Sequence, residues 1–155
     1  MKKLRGKRRY FRRMWAQIKE TGIDTSVESW YAFSHTHLDF WGHGISSGKL
    51  RREHMKGHLA LLDKVIEQFE QSNRPYQAWA HFNEKHAEYD AVFMHTSNPY
   101  DEFPFKDEDA QETNELPALY RDLIDVTKYR IYVTGKADEI IYNIQVKGKG
   151  YPICN

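Results

Sequence analysis

"GKLRREHMKGHLALLDKVIEQFEQS", Gly48 to Ser72, decides the fold. Met55, Leu59, Leu62, Ile66 and Phe69 recur at intervals of 4, 3, 4 and 3, with Val65 beside them. That spacing is one face of an α-helix. Ser46 or Ser47 is placed to cap its start, and Asn73 and Pro75 end it. Beyond Pro75 the period changes. "YQAWAHFN", Tyr76 to Asn83, alternates Tyr76, Ala78, Ala80 and Phe82 with Gln77, Trp79, His81 and Asn83, which predicts a strand. "EKHAE" then supplies a polar turn, and "YDAVFMHT" its hairpin partner.

Upstream of the helix, "ESWYAFSHTHLDFW" (28–41) alternates over a long run. Trp30, Ala32, Ser34, Thr36, Leu38 and Phe40 form one face of a predicted strand. Tyr31, Phe33, His35, His37, Asp39 and Trp41 form the other. Downstream, "ALYRDLIDVTKY" (118–129) has the stripe Leu119, Leu123 and Val126 of a short helix. "RIYVTGKADEIIYNIQVKG" closes the chain as a hairpin turning around Gly135 to Asp138. The central order β-α-β-β-α-β predicts an α+β fold, a ferredoxin-like split β-α-β antiparallel sandwich with an extra N-terminal helix and a C-terminal hairpin. The small residues Ala32, Ser34, Thr36, Ala78 and Ala80 suit the face that meets a helix. That leaves Tyr31, Phe33, His35, His37, Asp39, Trp41, Trp79 and His81 as the expected partner or ligand face.

A length of 155 residues is that of one domain, 1–155. No apolar run approaches the roughly 20 residues that span a bilayer, and no apolar segment of a secretory signal follows the basic start. The single Cys154 excludes an internal disulfide and a cysteine metal site. A cytoplasmic bacterial protein is the expected setting.

The net charge of +1 hides a division. Residues 1–19 hold nine of the 23 Lys and Arg and none of the 22 acids, so the remainder carries 14 basic and 22 acidic side chains, a balance of −8. Within that leader, Phe11, Met14, Trp15 and Ile18 mark one face of a basic amphipathic helix over 1–22, ended by Gly22. Arg5, Lys7, Arg8, Arg9, Arg12 and Arg13 are the candidate anion-binding residues, with RNA as the expected polyanion of residues 1–19. The acids concentrate in an aperiodic loop over 97–115, rich in proline, which suits a basic protein partner.

Three histidine patterns bear on metal chemistry. His35, His37 and Asp39 at alternate strand positions, with His81 on a neighbouring strand, are a candidate site for a divalent transition metal and hydrolysis. "HTHLD" resembles the metal-binding segment of metallo-β-lactamase-fold hydrolases, His-x-His-x-Asp-His, but Phe40 stands where that family has its next histidine. His54 and His58 lie one helical turn apart, a spacing that can share a metal. Met55 takes the place of the glutamate of a His-Glu-x-x-His site, so the pair is expected to flank the buried face. No nucleophile elbow or P-loop is present, and no catalytic residue is nominated.

Arg5, Gly6, Arg9, His35, His37, Leu38, Ser47 and Arg51 carry one further likeness. They are similar to a family of small uncharacterised bacterial proteins that open Arg-Gly-x-x-Arg and carry His-x-His-Leu before a Ser-x-x-x-Arg helix. The resemblance covers the first half of the chain and implies kinship without a catalytic role. The expected function is a non-enzymatic interaction protein, of the immunity type, that binds a basic partner. A metal-dependent hydrolase and an RNA-binding protein are the alternatives.

Overall fold

A computed structural model describes residues 7–22, 33–36, 48–73, 76–95, 110–118, 121–136 and 139–147. Two α-helices, α1 (Lys7–Glu20) and α2 (Gly48–Ser72), accompany β1 (Phe33–Thr36), β2 (Gln77–Asn83), β3 (Ala91–His95), β4 (Gln111–Glu112), β5 (Tyr129–Lys136) and β6 (Glu139–Val146). The protein is α+β, and every strand pairing in its single sheet is antiparallel, in the order β1-β3-β2-β6-β5-β4.

α2 has the bounds its periodicity predicts. Its end is set by Asn73, whose φ of 55° takes the left-handed conformation that asparagine tolerates. The stripe Met55, Leu59, Leu62 and Phe69 is buried. A second stripe adjoins it: Arg51, His54, His58, Leu61 and Val65 are buried too, at intervals of 3, 4, 3 and 4. The helix is enclosed on a wider arc than one apolar stripe because the sheet covers one flank and α1 another.

β3 lies between β1 and β2, the two strands that α2 joins, as a split β-α-β arrangement requires. β6 then pairs with the far side of β2, and the β5–β6 hairpin runs in register from Tyr129↔Val146 to Lys136↔Glu139. Between β3 and β5 the predicted second helix is replaced, among the described residues, by a 3-10 turn at Arg121–Leu123. The cause is local. Asp125 accepts from the Thr127 backbone N–H at 2.9 Å and from its hydroxyl at 2.6 Å, a turn that competes with helical hydrogen bonding. The structure thus has the expected α+β class and antiparallel sheet, without the second helix of a ferredoxin-like sandwich among the described residues. The flanks of the predicted strand 28–41 and the loop 97–109 lie outside the described residues.

The core sits between the helices and one sheet face. Ala78, Ala80 and Phe82 of β2, Val92 and Met94 of β3, Ile131 of β5 and Tyr142 and Ile144 of β6 meet Met55, Leu62, Val65 and Phe69 of α2. The alanines of β2 permit the close approach of a helix that their size predicts. Phe69 stacks on Tyr76 with ring centroids 5.0 Å apart.

α1 docks on α2 through Met14 and Ile18, both buried, with Phe11 against the same cluster. Lys64 of α2 closes the joint: its Nζ donates to the carbonyls of Ile18 at 2.6 Å and Lys19 at 2.7 Å. These are orphan acceptors at a helix C-terminus, where a cation is favoured. At the other end Trp15 Nε1 donates to Glu53 Oε1 at 3.2 Å. Because Met14 is fully buried at this joint, Met14→Ala is expected to cost about 2–5 kcal/mol by urea denaturation. An unchanged midpoint would show that α1 is not part of the cooperative core.

Candidate functional site

The densest polar group among the described residues is buried where α2 crosses the β2–β3 connection. Asp90 stands at its centre, just before β3, and Arg51, His54 and Asn83 converge on it. Arg51 Nη1 donates to Asp90 Oδ2, and Nη2 donates to Oδ1 at 2.9 Å. His54 Nδ1 lies 3.2 Å from Oδ2. A carboxylate only accepts, so Nδ1 carries the proton and donates. The Asn83 backbone N–H donates to Oδ1 at 3.2 Å. Arg51 Nη2 also donates to the Asn83 carbonyl at 2.7 Å. Asn83 in turn holds the following turn, its Oδ1 accepting from the N–H groups of Lys85 and His86, each at 3.0 Å.

His58, one turn beyond His54, is fully buried. Its Nδ1 donates to the His54 carbonyl at 3.0 Å, its ring lies 4.5 Å from that of His54 by centroids, and it meets Phe82 edge-on at 6.0 Å. Nε2 is left as a buried lone pair without a hydrogen-bond partner among the described residues. Burial lowers the His58 pKa from its usual 6.5 to about 4, with the neighbouring His54 adding to the effect. For Asp90, burial alone would raise the pKa, but the hydrogen bonds from His54 and Arg51 outweigh it and hold the carboxyl below its ordinary value.

The ligand atoms of His54, His58 and Asp90 lie within 4.8 Å of one another, close enough to suggest a metal. The donor chemistry argues otherwise. A carboxylate offers about four lone-pair positions, and Asp90 has four donors on them, two from Arg51, one from His54 and one from Asn83. A metal would have to displace a guanidinium from the one anion in the cluster. The guanidinium already fills the role of the cation, and the cluster joins the helix to the hairpin. His54 and His58, expected to flank the buried face, lie within it, and they are joined there by Arg51, which the sequence reading used only for a family likeness, and by Asp90, which it did not single out.

Of the residues nominated for a partner face, Trp79 and His81 are described in full. Trp79 is only 4% exposed and stacks on Phe93 at 5.8 Å. His81 is half-buried, places Nδ1 3.2 Å from Asn143 Oδ1, and meets Phe93 edge-on at 5.5 Å. His35 pairs by register with Phe93. Because β3 intervenes, β2 is not the neighbour of β1, and His81 stands two strands from His35, roughly 10 Å in backbone spacing. Tyr31, His37, Asp39 and Trp41 lie outside the described residues, as does Arg5.

The anion-binding candidates form the open surface. Lys7 opens α1, and Arg8, Arg9, Arg12 and Arg13 are all exposed along it. None of these four arginines makes a hydrogen bond or ion pair among the described residues. Other cations do have carboxylate partners: Arg52 with Asp122 at 2.7 Å, Lys128 with Asp63 at 3.1 Å, and Arg130 with Glu112 at 3.5 Å.

No family model matches the chain, and neither does any curated protein or solved structure. No described helix is long and apolar enough to cross a membrane.

The buried cluster predicts two outcomes. Asp90→Asn leaves Arg51 buried without its counter-charge, and a loss of about 3–5 kcal/mol is expected by urea denaturation. The double variant Arg51→Met/Asp90→Leu should lose less than Asp90→Asn alone, and an equal or larger loss would refute the ion-pair account. The pH dependence has a definite sign. The unfolded chain protonates His58 near 6.5, whereas the folded protein resists until about 4. Stability is therefore full above pH 6.5 and falls by roughly 3 kcal/mol toward pH 4. Asp90 adds a further loss only at more acid pH. His58→Phe should flatten the slope between pH 6.5 and 4, as read from urea midpoints against pH.

Proposed function

We propose that the protein is a non-enzymatic binding protein that engages a polyanion through the outward face of α1. The supporting observation is the contrast in charge pairing. Arg8, Arg9, Arg12 and Arg13 stand exposed and unmatched among the described residues, while Arg51, Arg52, Lys128 and Arg130 each meet a carboxylate. A helix with four unneutralised guanidinium groups on one side is a strip of positive potential, and arginine recognises phosphate and sulfate in bidentate geometry. The acidic remainder of the chain confines this attraction to α1 and sets the orientation of a bound polyanion.

Two features separate this reading from its neighbours. A basic amphipathic helix that lies on membranes needs a free apolar face. In α1 that face, Met14 and Ile18, is already in the core. The histidine–carboxylate cluster is enclosed, its carboxylate is fully engaged, and the lone pair left open on His58 Nε2 is buried. The acidic loop 97–115, the surface suited to a basic partner, is described only from Ala110, so the proposal rests on α1.

The test is fluorescence anisotropy with labelled heparin and labelled RNA across a salt series. Four arginine contacts give an expected slope of log K against log [salt] of roughly −3 on single strands. Arg8→Glu/Arg12→Glu is expected to weaken both probes at least about tenfold, since each reversal removes one contact and adds one repulsion. Affinity indifferent to salt, or unaltered by the double reversal, would refute the proposal.

A further inference from the structure

We infer that the polyanion is a single-stranded nucleic acid, one of whose bases stacks on Trp15; this rests on α1 being the polyanion-binding element. Trp15 breaks the pattern of its helix. Phe11, Met14 and Ile18 turn their side chains toward α2 and the core, while Trp15 stays 38% exposed. Its place is on the cationic side. Arg8, Arg12, Trp15 and Lys19 follow one another at intervals of 4, 3 and 4, the spacing of a single helical stripe, and all four are exposed. The indole is therefore flanked along the helix by Arg12 on one side and Lys19 on the other.

The indole is also held in place. Its Nε1–H donates to Glu53 Oε1 at 3.2 Å, and the Glu53 carboxylate is partly neutralised by Lys56 at 3.7 Å. A tryptophan fixed at its polar edge, 38% exposed and placed between two cations along the helix, is a stacking platform on a phosphate track. A sulfated sugar has no π-face to place on it. A duplex has its base faces already stacked. A single strand offers both a phosphate for each cation and an unstacked base for the indole. Over its 14 residues α1 is about 21 Å long, enough for several consecutive phosphates.

The experiment measures the affinity of the full chain for three labelled probes, a short mixed-sequence single-stranded RNA, the same sequence as a duplex, and heparin. Wild type, Trp15→Ala, Trp15→Phe and Trp15→Leu are compared, each confirmed folded by circular dichroism and urea denaturation. Wild type is expected to prefer the single strand to the duplex. Trp15→Ala should weaken single-strand binding at least about fivefold and leave heparin binding within about twofold, since one lost stack accounts for that change. Trp15→Phe, which keeps a ring but loses the bond to Glu53, should retain most of the affinity, and Trp15→Leu should not. Should Trp15→Ala fail to fold, the comparison of Phe with Leu decides. The inference is overturned if the duplex binds as well as the single strand, if alanine leaves the single strand unaffected, if it weakens heparin equally, or if phenylalanine is as poor as leucine. In each of those cases polyanion binding by the arginines still stands. If wild type binds none of the three probes, polyanion binding by α1 itself fails.

Discussion

The pairing of Arg51 with Asp90 is the constraint on which the rest of the structure depends. A buried guanidinium and a buried carboxylate are each costly to remove from water, and either left alone would be more costly still. Once both are inside, their geometry fixes three pieces of chain. The N-terminal half of α2 must present Arg51 and His54 to the hairpin. β2 must end at Asn83, whose backbone N–H and carbonyl both join the pair. The connection to β3 must return so that Asp90 lies under the helix. Hydrophobic contacts between α2 and the sheet are non-directional and would tolerate a shift along the helix axis. The ion pair does not, so it sets the register in which the apolar stripes meet.

The two groups of arginines in this chain obey opposite rules. Arg51 is enclosed and has its hydrogen bonds shared between Asp90 and the Asn83 carbonyl. Arg8, Arg9, Arg12 and Arg13 of α1 stand exposed, with no carboxylate partner among the described residues. Composition treats them alike, and a net charge of +1 conceals both. What separates them is the position of the nearest acid: Asp90 is 39 residues from Arg51 in sequence yet adjacent in space, whereas the leader has no acid until Glu20.

Periodicity made much of this fold legible. The 3.6-residue repeats of α1 and α2, the alternation of 76–83 and the hairpin at 129–146 all lie where their residue patterns place them, because each pattern reports burial of one face. Two things escaped. The helix expected over 118–129 has suitable apolar spacing, but Asp125 and Thr127 offer the backbone a closer set of partners, and three-residue apolar matches are too short to resist them. The buried cluster escaped for a different reason. Arg51, His54 and His58 continue the spacing of Leu61 and Val65, yet their polarity hides them from any search for apolar repeats. The signal that remains in the sequence is that spacing itself, polar residues in step with a buried stripe. The placement of β3 between β1 and β2 is the one a split β-α-β reading implies, and it sets His81 two strands from His35, which the pairing of those residues as metal ligands on neighbouring strands overlooked.

That placement of β3 also governs how the molecule assembles. The hairpins β2–β3 and β5–β6 join residues close in sequence, so each closes a short loop and loses little chain entropy in doing so. β1 has no such neighbour. It pairs with β3 across roughly the length of α2, β2 and the connections between them, as in Phe33↔His95. A contact of that span becomes favourable only after α2 has packed and brought the two ends together. Topology therefore favours an order in which the local hairpins form first and the β1 edge joins last. A strand that joins the sheet late opens early, so β1 is expected to exchange its amide hydrogens before β2 and β3 do.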